Sequence, residues 1–239
     1  ILFTIVRSKI VHYSSMCYFP LAFLAAVVID KLLRGELSLS GWMRAGLWAI
    51  GGLFILLTVA LPFVGMNAAV LQPLFDDPFA QANLEANVRW TGWEVLPGVF
   101  LFAVLWLALR LLRRGRKVRG LQVLYGGTAV FVLLTLIFFI KRIEGYSQRA
   151  AVEFFERKAG EDAYLLSHGY RTYAHYFYGR VAPHNRRVEG NSEWALTGEI
   201  DKPVFISTKV HKADELRALE ELEELYAKNG FVFFRRLPR

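Results

Sequence analysis

The stretch "VLPGVFLFAVLWLALRLLRRGRKVRGLQVLYGGTAVFVLLTLIFFI", residues 95–140, holds two apolar runs divided by a densely basic connection. Residues 95–112 and 120–140 each approach the ~20 residues that cross ~30 Å of hydrocarbon. Working outward, residues 13–29 and 45–65 have the same character. The chain is 54% hydrophobic yet carries 29 Lys and Arg against 21 Asp and Glu, so the apolar residues are segregated rather than spread through one soluble core. Ile1 opens the chain, and "ILFTIV" has the composition of the last turns of a membrane helix but is too short to span. The expected fold class is therefore an α-helical polytopic membrane region over residues 1–141, a truncated helix plus four transmembrane helices. A small periplasmic α/β domain over residues 142–239 follows it. The upstream part of the protein is expected to be missing from this stretch.

Orientation follows from the basic residues, because Lys and Arg in short connections mark the cytoplasmic side. Arg110, Arg113, Arg114, Arg116, Lys117 and Arg119 have no acidic residue among them, which assigns the loop 110–119 to the cytoplasm. By alternation, residues 30–44, with Lys31, Arg34 and Arg44, fall inside. Residues 66–94, with Asp76, Asp77, Glu85 and Glu94 against Arg89, fall outside. The tail from Lys141 onward is then also outside, which in a bacterial inner membrane is the periplasm. One connection breaks the rule: "RSKIVHY", residues 7–13, puts Arg7 and Lys9 on the outer side. Snorkelling cations account for them, and so does an anion held at the membrane surface.

The tail reads as alternating elements. "EGYSQRAAVEFFERKAG" has an apolar stripe through Ala150, Val152, Phe154 and Phe155, ended at Gly160. "AYLL" and "PVFISTKV" read as strands, and "YRTYAHYFY" as a helix or helical turn presenting Tyr173, Tyr176, Phe177 and Tyr178. "KADELRALEELEELYAKNG" has Leu216, Leu219, Leu222 and Leu225 at i, i+3 spacing and predicts a long helix stopped at Gly230, with "FVFFRRL" a third strand. Helix, strand, helix, strand, helix, strand implies a small, mainly parallel sheet with helices packed on it.

Few chemical signals stand out. There is no glycine-rich phosphate loop, G-x-S-x-G elbow or H-E-x-x-H pair. Cys17 is the only cysteine, and His168, His175 and His184 have spacings that match no compact ligand motif, so no metal site is expected. Surface or packing roles suit these histidines. Tyr173, Tyr176 and Tyr178 suit either a core or a platform for a sugar or acceptor. Asp76 and Asp77 suit an acid/base pair, but "QPLFDDPFAQA" has the pattern of a helix-capping turn. The basic balance is explained by topology, so no nucleic-acid partner is expected.

"RSKIVHYSSMCYFPLAFLAA" resembles a motif of polyprenyl-phosphate-sugar-dependent membrane glycosyltransferases of the GT-C type. These are relatives of protein O-mannosyltransferases and of lipid A aminoarabinose transferases. In these enzymes a late outer connection runs basic, Lys, apolar residues and Tyr, then a helix with a Pro. Arg7, Lys9, Tyr13 and Pro20 fit, and His12 is a variation. "GYRTYAHYFYGR" and "KPVFISTKVHKADEL" are similar to the periplasmic C-terminal domain of bacterial members.

The resemblance implies transfer of a sugar from an undecaprenyl-phosphate carrier to a glycan, lipid or protein acceptor at the outer face. It implies a polyprenyl-phosphate sugar donor and membrane lipids as partners, and Arg7, Lys9, Tyr13 and His12 at the carrier's phosphate. The family's catalytic carboxylate lies in a first outer loop, upstream of Ile1. No cofactor is required, although a divalent metal ion is compatible with the chemistry. A transporter or flippase, or a non-catalytic membrane anchor, is the alternative reading.

Overall fold

The computed structural model describes residues 15–188 and 190–238. Arg7, Lys9, His12 and Tyr13, and the start of the first expected span, lie outside the described residues. Among the described residues four helices are long and apolar enough to cross a membrane: Ser15–Arg34, Gly41–Met66, Trp93–Arg113 and Lys117–Gly145. The helical elements are α1 (Tyr18–Arg34), α2 (Gly41–Met66), the short α3 (Ala68–Leu71) and α4 (Pro78–Leu84), then α5 (Leu96–Arg113) and α6 (Lys117–Gly145). The chain forms two compact units. One is the described part of Ile1–Val59 with Val95–Leu134, and the other is Ala60–Glu94 with Thr135–Arg239.

In the first unit, α1 continues beyond the apolar run that predicts it, through Asp30 and Lys31 to Arg34. Arg34 pairs with Asp30 one turn back at 3.0 Å, two basic residues sit in the last turn, and Gly35 ends the helix at φ +85°. Hydropathy marks where the hydrocarbon ends, whereas hydrogen bonding carries the helix a turn farther. Close helix approach in this unit depends on glycine. A Cβ on Gly98 would lie 2.7 Å from both Thr58 Oγ1 and Val59 Cγ2, and one on Gly127 would lie 2.5 Å from Val104 Cγ1. Small residues at helix contacts supply this packing in membranes, where burial of apolar surface from water drives nothing. Leu32, Leu109 and Leu112 form one buried cluster and Leu101, Leu105 and Phe131 another. Ile50, Leu53, Leu57 and Leu133 remain exposed on the outside, as lipid-facing side chains should.

The second unit contains a four-stranded sheet. After α7 (Arg149–Arg157) come β1 (Tyr164–His168), α8 (Ala174–Tyr178), α9 (Ser192–Thr197), β2 (Val204–Lys209), α10 (Ala213–Arg217), β3 (Glu223–Lys228) and β4 (Phe231–Arg236). The order is β1-β2-β4-β3, with β1 parallel to β2 and the other two pairings antiparallel. Alternation along the strands builds a core on each face. Leu165, Phe205, Phe231 and Phe233 meet Ala151, Phe154 and Phe155 of α7, with Phe154 stacked on Phe233 at 4.4 Å. On the other face Leu166, Val204, Ile206 and Phe234 pack with Ala195, Ala213 and Leu216.

Two expectations are corrected here. The sheet is mixed rather than mainly parallel, and the long leucine helix over residues 212–230 does not exist. The helix stops at Arg217, and residues 223–228 form the edge strand of a hairpin. Asn229 (φ +48°) and Gly230 (φ +77°) provide the two left-handed residues of a tight hairpin turn, a stronger local instruction than leucine spacing. Strand pairing sets Glu223 opposite Arg235, whose Nε donates to the Glu223 carboxylate at 3.0 Å. The register shifts between Glu224 and Tyr226, so Leu225 is the extra residue of a bulge.

Candidate functional site

The second unit holds a polar cluster at the end of its membrane helix. Glu94 is fully buried, and its carboxylate forms an ion pair with Arg142 of α6. The carboxylate also accepts from the Thr91 backbone N–H at 3.1 Å, the Thr91 hydroxyl at 2.8 Å and the Gly92 N–H at 2.8 Å. Arg142 Nη1 donates to the Phe138 carbonyl at 2.5 Å. Beside this pair, Trp90 Nε1 donates to the Tyr146 hydroxyl at 2.9 Å, and that hydroxyl donates to the Gly65 carbonyl at 3.3 Å. A Cβ on Gly145 would come within 2.7 Å of Val88 Cγ2, so the connection 87–94 lies directly on the helix.

With both oxygens of Glu94 occupied by donors, this carboxylate is a clamp and not a free base. The sequence places Glu94 and Arg89 in an outer loop without revealing the pairing of Glu94 with Arg142. The available signal was an acidic residue directly before an apolar run, which needs a buried partner once that run enters the membrane.

Of the residues singled out in the tail, Tyr173, the N-cap residue of α8, and Phe177 within that helix lie four apart and are largely exposed. Tyr178 packs against the core and Tyr176 is half-buried, its ring tilted at 46° to that of His175 with centroids 3.9 Å apart and with Arg186 above it. The three tyrosines therefore do not form one platform; Tyr173 with Phe177 makes the outward aromatic pair. Asp77 takes up the N-cap of α4, its Oδ1 accepting from the Phe79 N–H at 2.9 Å, which is the capping-turn reading of "FDDPF".

The histidines are dispersed among different partners. His168 lies 3.5 Å from Glu215, His184 lies 3.6 Å from Asp162, and His175 is buried, its pKa pushed down to about 4 by burial. Near the start of α7, Glu153 accepts from Lys228 at 2.7 Å and from Arg149 Nε at 2.9 Å. Those contacts hold its carboxyl below the usual range, Lys228 contributing most. Arg149 is held above its ordinary value, chiefly by the hydrogen bond to Glu153.

No protein-family model and no curated protein matches the chain. Solved structures do share its fold. ArnT from Cupriavidus metallidurans in the apo state superposes with a TM-score of 0.54 at 15% identity, covering 98% of this chain and 43% of that one. The same protein bound to undecaprenyl phosphate gives a TM-score of 0.51 at 17% identity, covering 90% of this chain and 40% of that one. The chain thus spans less than half the length of these structures. Through its four membrane-length helices and mixed four-stranded sheet, the described chain has the fold of a part of ArnT.

Proposed function

We propose that this chain is the C-terminal part of a GT-C membrane glycosyltransferase. In this reading the enzyme moves a sugar from an undecaprenyl-phosphate-type carrier to an acceptor at the periplasmic face of a bacterial inner membrane. The observation that carries the proposal is the fold shared over 98% of the chain with ArnT, a protein also solved with undecaprenyl phosphate bound. The basic connection "RSKIVHY" adds chemistry suited to that ligand. Arg7, Lys9 and Tyr13, with His12 beside them, supply cations and a phenol hydroxyl to a lipid phosphate.

The reaction asks for little else from this stretch. An acceptor oxygen attacks the anomeric carbon, the bond from that carbon to the phosphate oxygen breaks, and the carrier leaves as polyprenyl phosphate. Donors placed on the leaving phosphate stabilise the charge that develops on it. The acceptor's proton goes to a carboxylate base, which the reading assigns to the portion upstream of Ile1. The clamped Glu94 is not that base, because its oxygens are already occupied. In the same reading residues 142–239 form the periplasmic domain, and Tyr173, with Tyr176 and Tyr178 behind it, faces the sugar or acceptor.

The test is transfer by the full-length protein reconstituted with a polyprenyl-phosphate sugar. Lys9→Ala and Tyr13→Phe are expected to lower turnover by at least ~100-fold, at roughly 1.4 kcal/mol per decade, with membrane insertion and thermal stability unchanged. Wild-type turnover in both variants refutes the phosphate site. Movement of an intact lipid across the bilayer without sugar transfer favours the transporter.

A further inference from the structure

Beside the Glu94 clamp lies a cavity of about 500 Å³ whose wall carries four cations, Arg89, Lys141, Arg142 and Arg149. We propose that it holds the phosphate of an anionic lipid headgroup, a site that needs none of residues 1–14. Asn87 adds a neutral amide donor, and among the described residues Glu153 is the one carboxylate in the wall. Glu153 is already engaged by Arg149 and Lys228, and Arg142 by the buried Glu94. Among the described residues Arg89 and Lys141 make no ion pair, so two uncommitted positive charges face one concavity.

The wall is fixed before any ligand arrives. Arg89 sits between Val88, which rests on Gly145, and Trp90, which is hydrogen-bonded to Tyr146. Its backbone is therefore held at both neighbours while its side chain stays exposed. This distinguishes it from a cation that merely snorkels from a mobile loop.

The position favours a lipid over a soluble anion. Lys141 ends the apolar run of α6, and Ile137 lies one turn before it at i, i+4. Ile137 and Ile140 are 63% and 55% exposed, an apolar track leading to the cationic cavity. An acyl chain along that track delivers its phosphate to Lys141 and Arg89. Headgroup capture by basic residues at a membrane interface follows the same electrostatics as polybasic lipid recognition.

The experiment is native mass spectrometry of the full-length protein titrated with phosphatidylglycerol or phosphatidylcholine. The expected result is preferential retention of phosphatidylglycerol, weakened roughly 30-fold by the double substitution Arg89→Ala with Lys141→Ala. Phosphatidylcholine retention should not change, and Arg89→Lys with Lys141→Arg should retain the preference. Both positions are exposed, so the variants fold if the reasoning holds, and an unchanged melting temperature checks it. Wild-type phosphatidylglycerol affinity in the alanine double variant overturns the proposal, as does equal loss of both lipids. Inorganic phosphate that binds the wild type and loses affinity in the double variant, with no selective phosphatidylglycerol retention, also overturns it in favour of a soluble anion. Lys9→Ala should leave phosphatidylglycerol retention intact, which separates this test from that of the transferase reading.

Discussion

Removing Arg142 tests the clamp most directly. Arg142→Met keeps side-chain volume and apolar contact with the helix but deletes the cation that, among the described residues, pairs with the fully buried Glu94. Breaking a buried ion pair from one side costs about 3–5 kcal/mol, because the remaining charge is left without its partner in a poorly solvating site. Here the Thr91 and Gly92 donors still hold the carboxylate, so the low end, about 3 kcal/mol, is expected. For a chain of this size that is a melting temperature lower by roughly 6–12 °C.

Glu94→Gln in the same background removes the orphaned charge while leaving an oxygen for the backbone donors. The double variant should therefore recover most of the loss, with a coupling energy of about 2 kcal/mol or more. The assay is thermal unfolding in detergent of all four members of the cycle, read by intrinsic tryptophan fluorescence, since Trp90 sits beside the pair. A single variant within ~2 °C of wild type, or a double variant no better than Arg142→Met, refutes the clamp.

His175 gives a pH dependence with a definite sign: its folded pKa of about 4 lies below the ordinary 6.5, so the unfolded chain takes up the proton first and stability falls as pH drops from about 6.5 towards 4. The loss should reach about 2 kcal/mol at pH 5, and His175→Phe should flatten the melting-temperature profile between pH 6.5 and 4.5, a window above most carboxylate titration; an unchanged slope would contradict the assignment. Gly230→Ala should lower stability by about 1–3 kcal/mol, because φ is +77° and the new Cβ would meet Phe79 Cδ2 at 2.9 Å; a neutral effect on thermal unfolding would show that the hairpin tip relaxes.

The membrane helices were legible because length and hydropathy are summed over many residues, so a few polar side chains do not hide them. Their ends were less so. Asp30, Lys31 and Arg34 look like loop residues by polarity but are helical, secured by the Asp30–Arg34 pair and Gly35. In the tail, Ala150, Val152, Phe154 and Phe155 announced α7 through spacing alone, and all four are buried. The leucines at 216, 219, 222 and 225 used similar spacing and misled, since Asn229-Gly230 requires a hairpin and β4 offers a partner strand.

The Glu94–Arg142 pair was invisible for another reason. Its partners belong to different elements, and only tertiary structure reveals that two charges next to apolar runs cancel. The cations at Arg89 and Lys141 could be counted from sequence, but their convergence on one cavity could not.

The bulged edge strand has a consequence for colloidal behaviour. β3 ends the sheet and offers unpaired backbone groups along one side, the arrangement by which separate molecules add strand to strand. Glu223, Glu224 and Lys228 line that edge in exposed positions, and the irregularity at Leu225 spoils its straightness. A neighbouring sheet docking there would have to bring matching charges and follow a broken register. The charged residues set between the leucines of residues 212–230 keep this border solitary, so a segment whose leucine spacing reads as helix serves as an edge that resists self-assembly.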